Sequence, residues 1–442
     1  MTTLSRLLLF SFLAIALALG SACVTQPNTN NSTAPVTQAS PAASPVATLE
    51  AVQTNVKITL PLLDALLTDE GFERELKSRL KLTDDQVASL KRVSEAEINR
   101  LRESNTEDAS AEQTNGTTTA PAADANATNA STRAQEELRK ILGEEKATQL
   151  AAFANEYWAK GDPNAEGASA STAEMLKGPN AVPTDTRVVV NIPAFRMDLF
   201  QNGSLVKSYK VGIGYPEFPL PFGLRKVQQV IFNPSWTPPD SPWVAKIKNA
   251  TPGETIEPGS KDNPLGIIKI PIGLPSLIHG GKSPARIGKF ASHGCVGLTN
   301  AQIKDFAALL LRAGNKDVSD QEIAKYLEDK TETKTVKLDG TIPVELRYET
   351  IVLENGKLYI YKDVYAQDTN TEENLRRVLE ANGARLEDLT AEQRQKVLDA
   401  LQKPIKNEVV IDVPTLVGKG YPVAVNLDDG KGKPQMTRTK RK

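Results

Sequence analysis

Residues 276–298 read SLIHGGKSPARIGKFASHGCVGL, and they contain both histidines of the 442-residue chain and one of its two cysteines. These are His279, His293 and Cys295. Imidazole and thiolate groups are suited to acid–base and nucleophilic chemistry near neutral pH. Because the chain uses these residue types so sparingly, we expect any such chemistry to lie in this stretch.

The residues immediately before the cysteine favour nucleophilic chemistry. Ser292, His293 and Gly294 directly precede Cys295. In an extended segment the side chains of residues i and i+2 share a face, which would bring the His293 imidazole beside the thiol. Gly294 permits an unusual turn, and the backbone N–H groups of Gly294 and Cys295 could then stabilise a developing oxyanion. The segment therefore predicts a cysteine nucleophile with an adjacent base.

The other histidine of the stretch lies in a glycine-rich segment. His279 follows the apolar residues Leu277 and Ile278 and precedes Gly280 and Gly281. Glycines beside a catalytic side chain leave room for a substrate. Gly280 and Gly281 are therefore candidate substrate-binding residues.

Two other interpretations remain open on the spacing alone. The two histidines and Cys295, together with a water molecule, would suit zinc, but no acidic residue lies at a typical ligand spacing, so we expect no metal. A buried, unreactive cysteine near hydrogen-bonded histidines also fits the composition. The net charge of −1 gives no indication of a nucleic-acid partner.

The N-terminal residues 1–23 predict an export signal. Arg6 is followed by an apolar segment at 7–19, which is too short to span a bilayer comfortably, and then by small residues. A cysteine directly after small residues resembles the lipobox of bacterial lipoproteins, so we expect lipidation of Cys23; an ordinary cleaved signal peptide is the alternative. The expected location is the cell envelope or periplasm, with a lipid anchor in a membrane. Cys295 then has no disulfide partner and stays a free thiol.

The composition divides the N-terminal half of the chain, and the total length allows about two to four domains. Residues 24–50 are rich in small and polar residues and predict a flexible tether. Residues 51–160 have apolar side chains at helical spacing, interrupted by a disordered, low-complexity linker at 104–131. A further linker covers 161–184. For the helical region we favour a hairpin that packs on itself or spaces the next domain, although it faintly resembles periplasmic helical proteins that bind unfolded chains.

Residues 186–365 predict one mostly-β domain with a short helix. The Asn202-Gly203 pair lies between β-branched and aromatic runs and predicts a hairpin. Further strands are expected at 225–232, 266–272, 343–353 and 357–361, a long ordered loop at 233–264, and a helix at 300–312. Residues 371–442 predict a C-terminal helical segment and a basic tail, in which we see no chemistry.

The stretch around Cys295 resembles the signature of the L,D-transpeptidase family, whose catalytic domain is called YkuD-like. Cys295 lies 16 residues after His279 and within Ser292-His293-Gly294-Cys295-Val296. Six further segments also resemble the family: VVNI at 189–192, FRMDL at 195–199, VGIG at 211–214, NPSWTPP at 233–239, DNPLG at 262–266 and ENGKLY at 354–359. The resemblance implies a YkuD-like β-sandwich with a short helix over about 187–365, flanked by α-helical N-terminal and C-terminal regions.

The resemblance also implies roles for single residues. Cys295 would be the nucleophile and His279 the proton donor and acceptor, while His293, Ser292 and Gly294 would orient the site and help to bind the oxyanion. The implied substrate-binding positions are Gly280, Gly281, Gly297 and Trp236. Many family members have arginine at the position of Gly297, so the substrate preference is open. No cofactor is implied.

The implied activity is transfer between peptidoglycan stem peptides through a cysteine thioester, which forms 3–3 cross-links or attaches a protein to the wall. The implied partners are the stem peptides, with a wall-anchored protein as one candidate acceptor. Two alternatives remain: an L,D-carboxypeptidase or D-amino-acid exchange enzyme of the same fold, and a non-catalytic wall-binding lipoprotein.

Overall fold

The computed structural model describes residues 58–104, 120–160 and 174–432, apart from 242, 243, 245, 246, 248, 274, 404, 406 and 407. The predicted export signal, the lipidation site Cys23 and the tether lie outside the described residues. So do most of the linker predicted at 161–184 and the end of the basic tail. No helix in the described part of the chain is long and apolar enough to cross a membrane.

A helical unit comes first in the described residues. Its five helices are α1 (Leu60–Leu67), α2 (Glu70–Leu80), α3 (Asp84–Ser104), α4 (Ala120–Leu142) and α5 (Glu144–Lys160). They enclose a core of their own, in which Phe72, Leu90 and Phe153 are buried. Asp69 caps α2 by accepting hydrogen bonds from N–H groups of the first turn, and it also accepts one from the Tyr157 hydroxyl of α5 at 3.0 Å. Apolar packing and caps together therefore hold this unit.

The start of α4 corrects the predicted linker. Low complexity suggested disorder over 104–131, but α4 begins at Ala120 and includes 120–131. This segment is rich in alanine, which has the highest helix propensity of all residues. Leu138 and Leu142 anchor the end of the same helix in the helical core, so the helix extends backwards from an anchored end. The remaining linker residues, 105–119, lie outside the described residues.

Strands dominate the next part of the described chain. They are β1 (Arg187–Asn191), β2 (Arg196–Gln201), β3 (Ser204–Lys210), β4 (Ile213–Gly214), β5 (Gly223–Phe232), β6 (Ile268–Pro271), β7 (Leu277–His279), β8 (Phe290–Ser292), β9 (Val296–Gly297) and β10 (Lys334–Arg347). Eight of them form one mixed sheet in the order β3-β2-β1-β10-β5-β6-β7-β9, and β4 pairs with β8. The predicted hairpin is confirmed as β2 and β3, with φ of 50° at Asn202 and 79° at Gly203.

The two edges of the eight-stranded sheet meet. Gly212, just after β3, exchanges two backbone hydrogen bonds with Gly297 of β9, with N···O distances of 2.9 and 2.8 Å. The sheet therefore curls back on itself and encloses its apolar side chains, among them Val190, Tyr209 and Ile278. In place of the two separate sheets of the expected sandwich, strands β1 to β10 form one curled sheet and a two-stranded pair.

Two helices accompany this sheet in the described residues. The helix predicted at 300–312 is confirmed as α6 (Asn300–Ala313). Thr299 and Gln302 form a capping box at its start, and Phe306 is one of the side chains that it buries in the core of the sheet. The second helix, α7 (Asp320–Glu328), was not predicted.

The strand predicted at 343–353 is two strands in the structure. β10 ends at Arg347, and β11 (Ile351–Glu354) begins after a short turn. Asn191 holds this turn, because its side chain accepts a hydrogen bond from the Glu349 N–H at 3.1 Å and donates one to the Glu349 carbonyl at 3.0 Å. A turn that a sequence-distant residue stabilises leaves no local pattern, which explains why the prediction missed it.

The C-terminal unit combines β11 with β12 (Lys357–Ile360), β13 (Val409–Asp412), α8 (Glu372–Ala381) and α9 (Ala391–Gln402). The three strands form a separate sheet, and Leu358, Leu375 and Val397 belong to a separate core. The β11–β12 hairpin, predicted as part of the domain that ends at 365, thus packs with the C-terminal helices. Val364 and Tyr365 return to the core of the curled sheet.

Candidate active site

A cleft of about 2080 Å³ brings the predicted reactive residues together. His279, Ser292, His293, Gly294 and Cys295 all line it. Of the predicted substrate-binding positions, the cleft is lined by Gly281 and Trp236.

Gly280 and Gly297 do not line the cleft, because their α-carbons face other side chains. A Cβ at Gly280 would lie 2.6 Å from Asn300 Oδ1 and 2.8 Å from Ile303 on α6. A Cβ at Gly297 would lie 2.8 Å from Cγ of Lys282. Both glycines therefore permit close packing beside the site.

Neighbouring strands place His279 and Cys295. β7 and β9 run parallel, with His279 opposite Gly297, and Cys295 immediately precedes β9. The Leu298 N–H donates to the His279 carbonyl at 2.8 Å and continues this ladder. Cys295 itself lies in the turn between β8 and β9, two residues before the Gly297 that is paired with His279. The pairing of β7 with β9 therefore places His279 and Cys295 on adjacent chain segments, and both line the cleft.

The His279 ring is buried and hydrogen-bonded to the backbone. Nδ1 lies 2.8 Å from the Gly280 carbonyl oxygen, so Nδ1 carries the proton and donates it. Burial, the largest cause, and the positive charge of Lys282 together lower the pKa of His279 to about 3, although hydrogen bonds to the Gly280 and Leu265 backbone oppose the change. The ring is therefore neutral near pH 7, and its Nε2 lone pair can accept a proton.

Cys295 is a free cysteine and is partly exposed. Burial raises the pKa of its thiol, while a hydrogen bond with the Leu277 backbone and the positive charge of Lys282 lower it. The first cause is the largest, so the resting form is a thiol, in the same cleft as the neutral imidazole. This pair favours transfer of the thiol proton to a base during attack on a substrate.

The Ser292 hydroxyl braces the backbone of Cys295. It donates to the Cys295 carbonyl at 2.5 Å and accepts from the Cys295 N–H at 3.2 Å. The Cys295 N–H, one of the two expected oxyanion donors, is thus engaged by Ser292 in this geometry. Gly294 has φ of 91°, a left-handed conformation that favours glycine.

The surroundings of His293 differ from those expected of a base beside the thiol, which is the role that its spacing first suggested. The residues between β8 and β9 form a turn, so the face shared by residues i and i+2 of an extended strand does not exist there. The His293 ring instead lies 5.3 Å from the Tyr215 ring and 5.2 Å from the Phe218 ring. These aromatic contacts orient the segment before Cys295.

Sequence reasoning missed Tyr215, Phe218 and Lys282. The two aromatic residues come directly after β4 in a proline-containing loop, and this composition was the only local signal for them. Lys282 lies three residues after His279 and gave a signal only through that proximity. No cluster of His, Cys, Asp and Glu that could hold a metal is present among the described residues.

The helical unit forms another side of the cleft. It is lined by Asp64 of α1, by Thr68 at the C-terminal end of α1, and by Glu95 and Asn99 of α3. The Thr59 hydroxyl, at the start of α1, donates to the Glu217 carbonyl at 3.2 Å. Glu217 directly precedes Phe218, so the helical unit contacts the loop that orients His293.

Comparison with known proteins identifies the curled-sheet segment. Residues 185–344 match the L,D-transpeptidase catalytic domain, YkuD. A segment of 119 residues is 31% identical to the probable L,D-transpeptidase YbiS of Escherichia coli K12, covering 26% of this chain and 39% of that protein. A segment of 122 residues is 30% identical to the probable L,D-transpeptidase ErfK/SrfK of the same organism, covering 26% and 38%. The chain thus spans well under half the length of these relatives.

Among solved structures, the NMR structure of the catalytic domain of the E. faecium L,D-transpeptidase is 16% identical. The match covers 38% of this chain and all of that domain, with a TM-score of 0.24. The family profile and the curated relatives support the predicted YkuD-type catalytic domain in this part of the chain.

Proposed function

We propose that the protein is a cysteine acyltransferase that acts on peptidoglycan stem peptides and uses the cleft as its active site. The observation that carries the proposal is that His279 and Cys295, on adjacent chain segments, line the same cleft. His279 donates its Nδ1 proton to the Gly280 carbonyl, so Nε2 carries the lone pair of the neutral ring. Cys295 is free, and its backbone is held in place by Ser292.

In the first step, the Cys295 sulfur attacks the carbonyl carbon of the third residue of a donor stem peptide, which is bonded to the nitrogen of the terminal D-alanine. The thiol proton moves to Nε2 of His279 as the S–C bond forms, and the Gly294 N–H stabilises the oxyanion. The tetrahedral intermediate collapses when the C–N bond to the terminal D-alanine breaks. His279 returns the proton to the departing amine, and a thioester remains on Cys295.

In the second step, an amine of an acceptor attacks the thioester carbonyl. The N–C bond forms, the S–C bond breaks, and His279 passes the amine proton to the sulfur. An acceptor stem peptide gives a 3–3 cross-link, and an amine of a wall-anchored protein gives an attached protein. Water or a free D-amino acid would give the carboxypeptidase or exchange reaction instead.

For the location of this reaction, we propose the cell envelope, with the protein exported and lipid-anchored through Cys23. The apolar segment at 7–19 and the small residues before Cys23 support this proposal. The test is fractionation of cells that express the Cys23→Ala variant. Release from the membrane fraction supports the anchor, and retention of the variant in that fraction contradicts it.

The test of the activity is acylation of the purified chain. A carbapenem, whose strained amide imitates the scissile carbonyl, is incubated with the protein, and the adduct is located by intact mass and peptide mapping. We expect one adduct, on Cys295, that is absent from Cys295→Ala and much slower to form in His279→Gln. No adduct under conditions where a control cysteine acyltransferase reacts would overturn the enzyme proposal and favour a non-catalytic wall-binding protein.

A second measurement identifies the acceptor. A tetrapeptide that ends in D-alanine is incubated with the protein alone, with a second stem peptide or with a free D-amino acid. Dimers linked between third residues support the transpeptidase, whereas a tripeptide or an exchanged tetrapeptide as the only product overturns the cross-linking role.

A further inference from the structure

The side chain of Lys282 lies across the α-carbon of Gly297. The Lys282 N–H donates to the Leu298 carbonyl at 3.0 Å, which fixes the start of the side chain. A Cβ at Gly297 would lie 2.8 Å from Lys282 Cγ, 3.0 Å from Cε and 3.4 Å from Cδ. The lysine therefore uses the space that only a glycine leaves open at position 297.

Lys282 lines the same cleft as His279 and Cys295. Its positive charge lowers the pKa of His279 and opposes the rise in the pKa of Cys295 that burial causes. The cleft is also lined by other charged side chains, which are Asp64, Asp69, Lys91, Glu95, Lys226, Asp240, Lys261, Asp262, Lys269, Lys337 and Asp339. Among the described residues, Lys282 is the charged side chain that acts on the thiol.

We propose that Lys282 is a positioning residue whose side chain, laid across Gly297 two residues from Cys295, carries an ammonium group that stabilises the thiolate form of Cys295. The role rests on the proposed acyl transfer, because it serves the nucleophile of that reaction. It acts through the thiol, so it can be measured without an acyl-transfer substrate.

The physical need for such a cation follows from the state of His279. In many cysteine enzymes a protonated imidazole stabilises the thiolate. Here the imidazole is buried and neutral, so it does not supply that charge in the resting site. A cation within about 4–6 Å of an acidic group lowers the pKa of that group by about 1–3 units. A lysine over Gly297 supplies this charge, and it disfavours a second cation on His279.

The experiment is alkylation of the full-length protein by iodoacetamide across a range of pH. The Cys295 thiolate forms an S–C bond and iodide leaves, and peptide mass spectrometry quantifies the product at Cys295. The midpoint of the pH–rate curve reports the pKa of the thiol. We expect Lys282→Met to raise this midpoint by about one pH unit. At pH values below the midpoint, alkylation of this variant should then be about tenfold slower than that of the unmodified protein. Lys282→Arg, which keeps the charge, should restore it.

Gly297→Ala tests the geometry separately from the charge. The added methyl group displaces the Lys282 stem, so we expect the midpoint to rise in this variant as well. The same change in the Lys282→Met background should add little, because the charge is already absent. Additive shifts in the double variant would overturn the proposed link between the two residues.

Lys261→Met is the matched control, since Lys261 lines the cleft but does not act on the thiol. Its midpoint should equal that of the unmodified protein. An unchanged midpoint in Lys282→Met, or an equal shift in Lys261→Met, overturns the proposal. If Lys282→Met shifts the midpoint but Cys295 forms no carbapenem adduct, the proposed activity fails and the inference on Lys282 stands. If the adduct forms and the midpoint does not move, the inference alone fails.

Discussion

Ser292 and Cys295 form a closed hydrogen-bonded pair in which one hydroxyl satisfies both backbone groups of the nucleophile. The Ser292 Oγ donates to the Cys295 carbonyl at 2.5 Å and accepts from the Cys295 N–H at 3.2 Å. The pair fixes the tight turn between β8 and β9, and so it sets the position of the sulfur relative to His279.

Ser292→Ala should therefore reduce the rate of Cys295 acylation by about tenfold or more and lower the free energy of unfolding by about 1–3 kcal/mol, since two backbone groups lose their partner. Acylation is followed by mass spectrometry and stability by thermal unfolding. Ser276→Ala is the control, because the buried Ser276 hydroxyl has no hydrogen-bond partner among the described residues. Equal effects of both substitutions would contradict the role of Ser292.

The pH profile of the acylation rate should show no fall at acidic pH that comes from protonation of a histidine. Burial and Lys282 lower the pKa of His279 to about 3, so the ring remains a base until the pH falls through that value. Between about pH 5 and 7 we expect no loss of rate from protonation of His279. The measurement is the acylation rate against pH; an acidic limb with a midpoint near pH 6.5, the usual value for histidine, that disappears in His279→Gln would contradict this prediction.

His279 should also make the stability of the fold depend on pH. Its pKa is about 3 in the folded protein and about 6.5 in the unfolded chain, so the unfolded chain binds more protons between these values. The contribution of His279 to the free energy of unfolding is complete above about pH 6.5 and is lost as the pH falls toward 3. The loss of stability from pH 7 to pH 5 should thus be smaller in His279→Gln than in the unmodified protein, as measured by denaturant unfolding. Parallel curves would show that His279 is not held neutral by the fold.

Gly294→Ala should lower both the stability of the fold and the acylation rate, and a control variant separates the two effects. Gly294 has φ of 91°, where an alanine is strained by about 1–2 kcal/mol, although its Cβ would meet no atom closer than 3.7 Å. We expect this loss of stability together with a large fall in the acylation rate, because relaxation of the strain moves the Gly294 N–H and the sulfur.

Gly178→Ala is the control for this variant. Gly178 has φ of 88°, its Cβ would meet nothing within 4 Å, and it does not line the cleft. It should lose similar stability and keep its acylation rate. A Gly294→Ala variant that acylates normally would contradict the role of the Gly294 backbone.

Local sequence patterns predicted the hairpin at Asn202-Gly203 and the helix α6, since the residues that determine them are neighbours in the chain. Patterns that depend on distant residues were missed. Asn191 splits the strand predicted at 343–353, and alanine propensity together with an anchored C-terminal end carries α4 through 120–131. The sequence also offered no sign that the helical unit would line the cleft.

By itself, the sequence determined which groups are available for chemistry and the stretch in which they lie, because histidine and cysteine are rare in this chain and concentrated at 279–295. Only the tertiary structure decided what each group does. Burial and the Gly280 carbonyl set the protonation of His279, aromatic rings hold His293, and closure of the sheet at Gly297 leaves the space that Lys282 crosses. These outcomes depend on desolvation and on contacts between separate segments, which the order of residues along one short segment does not contain.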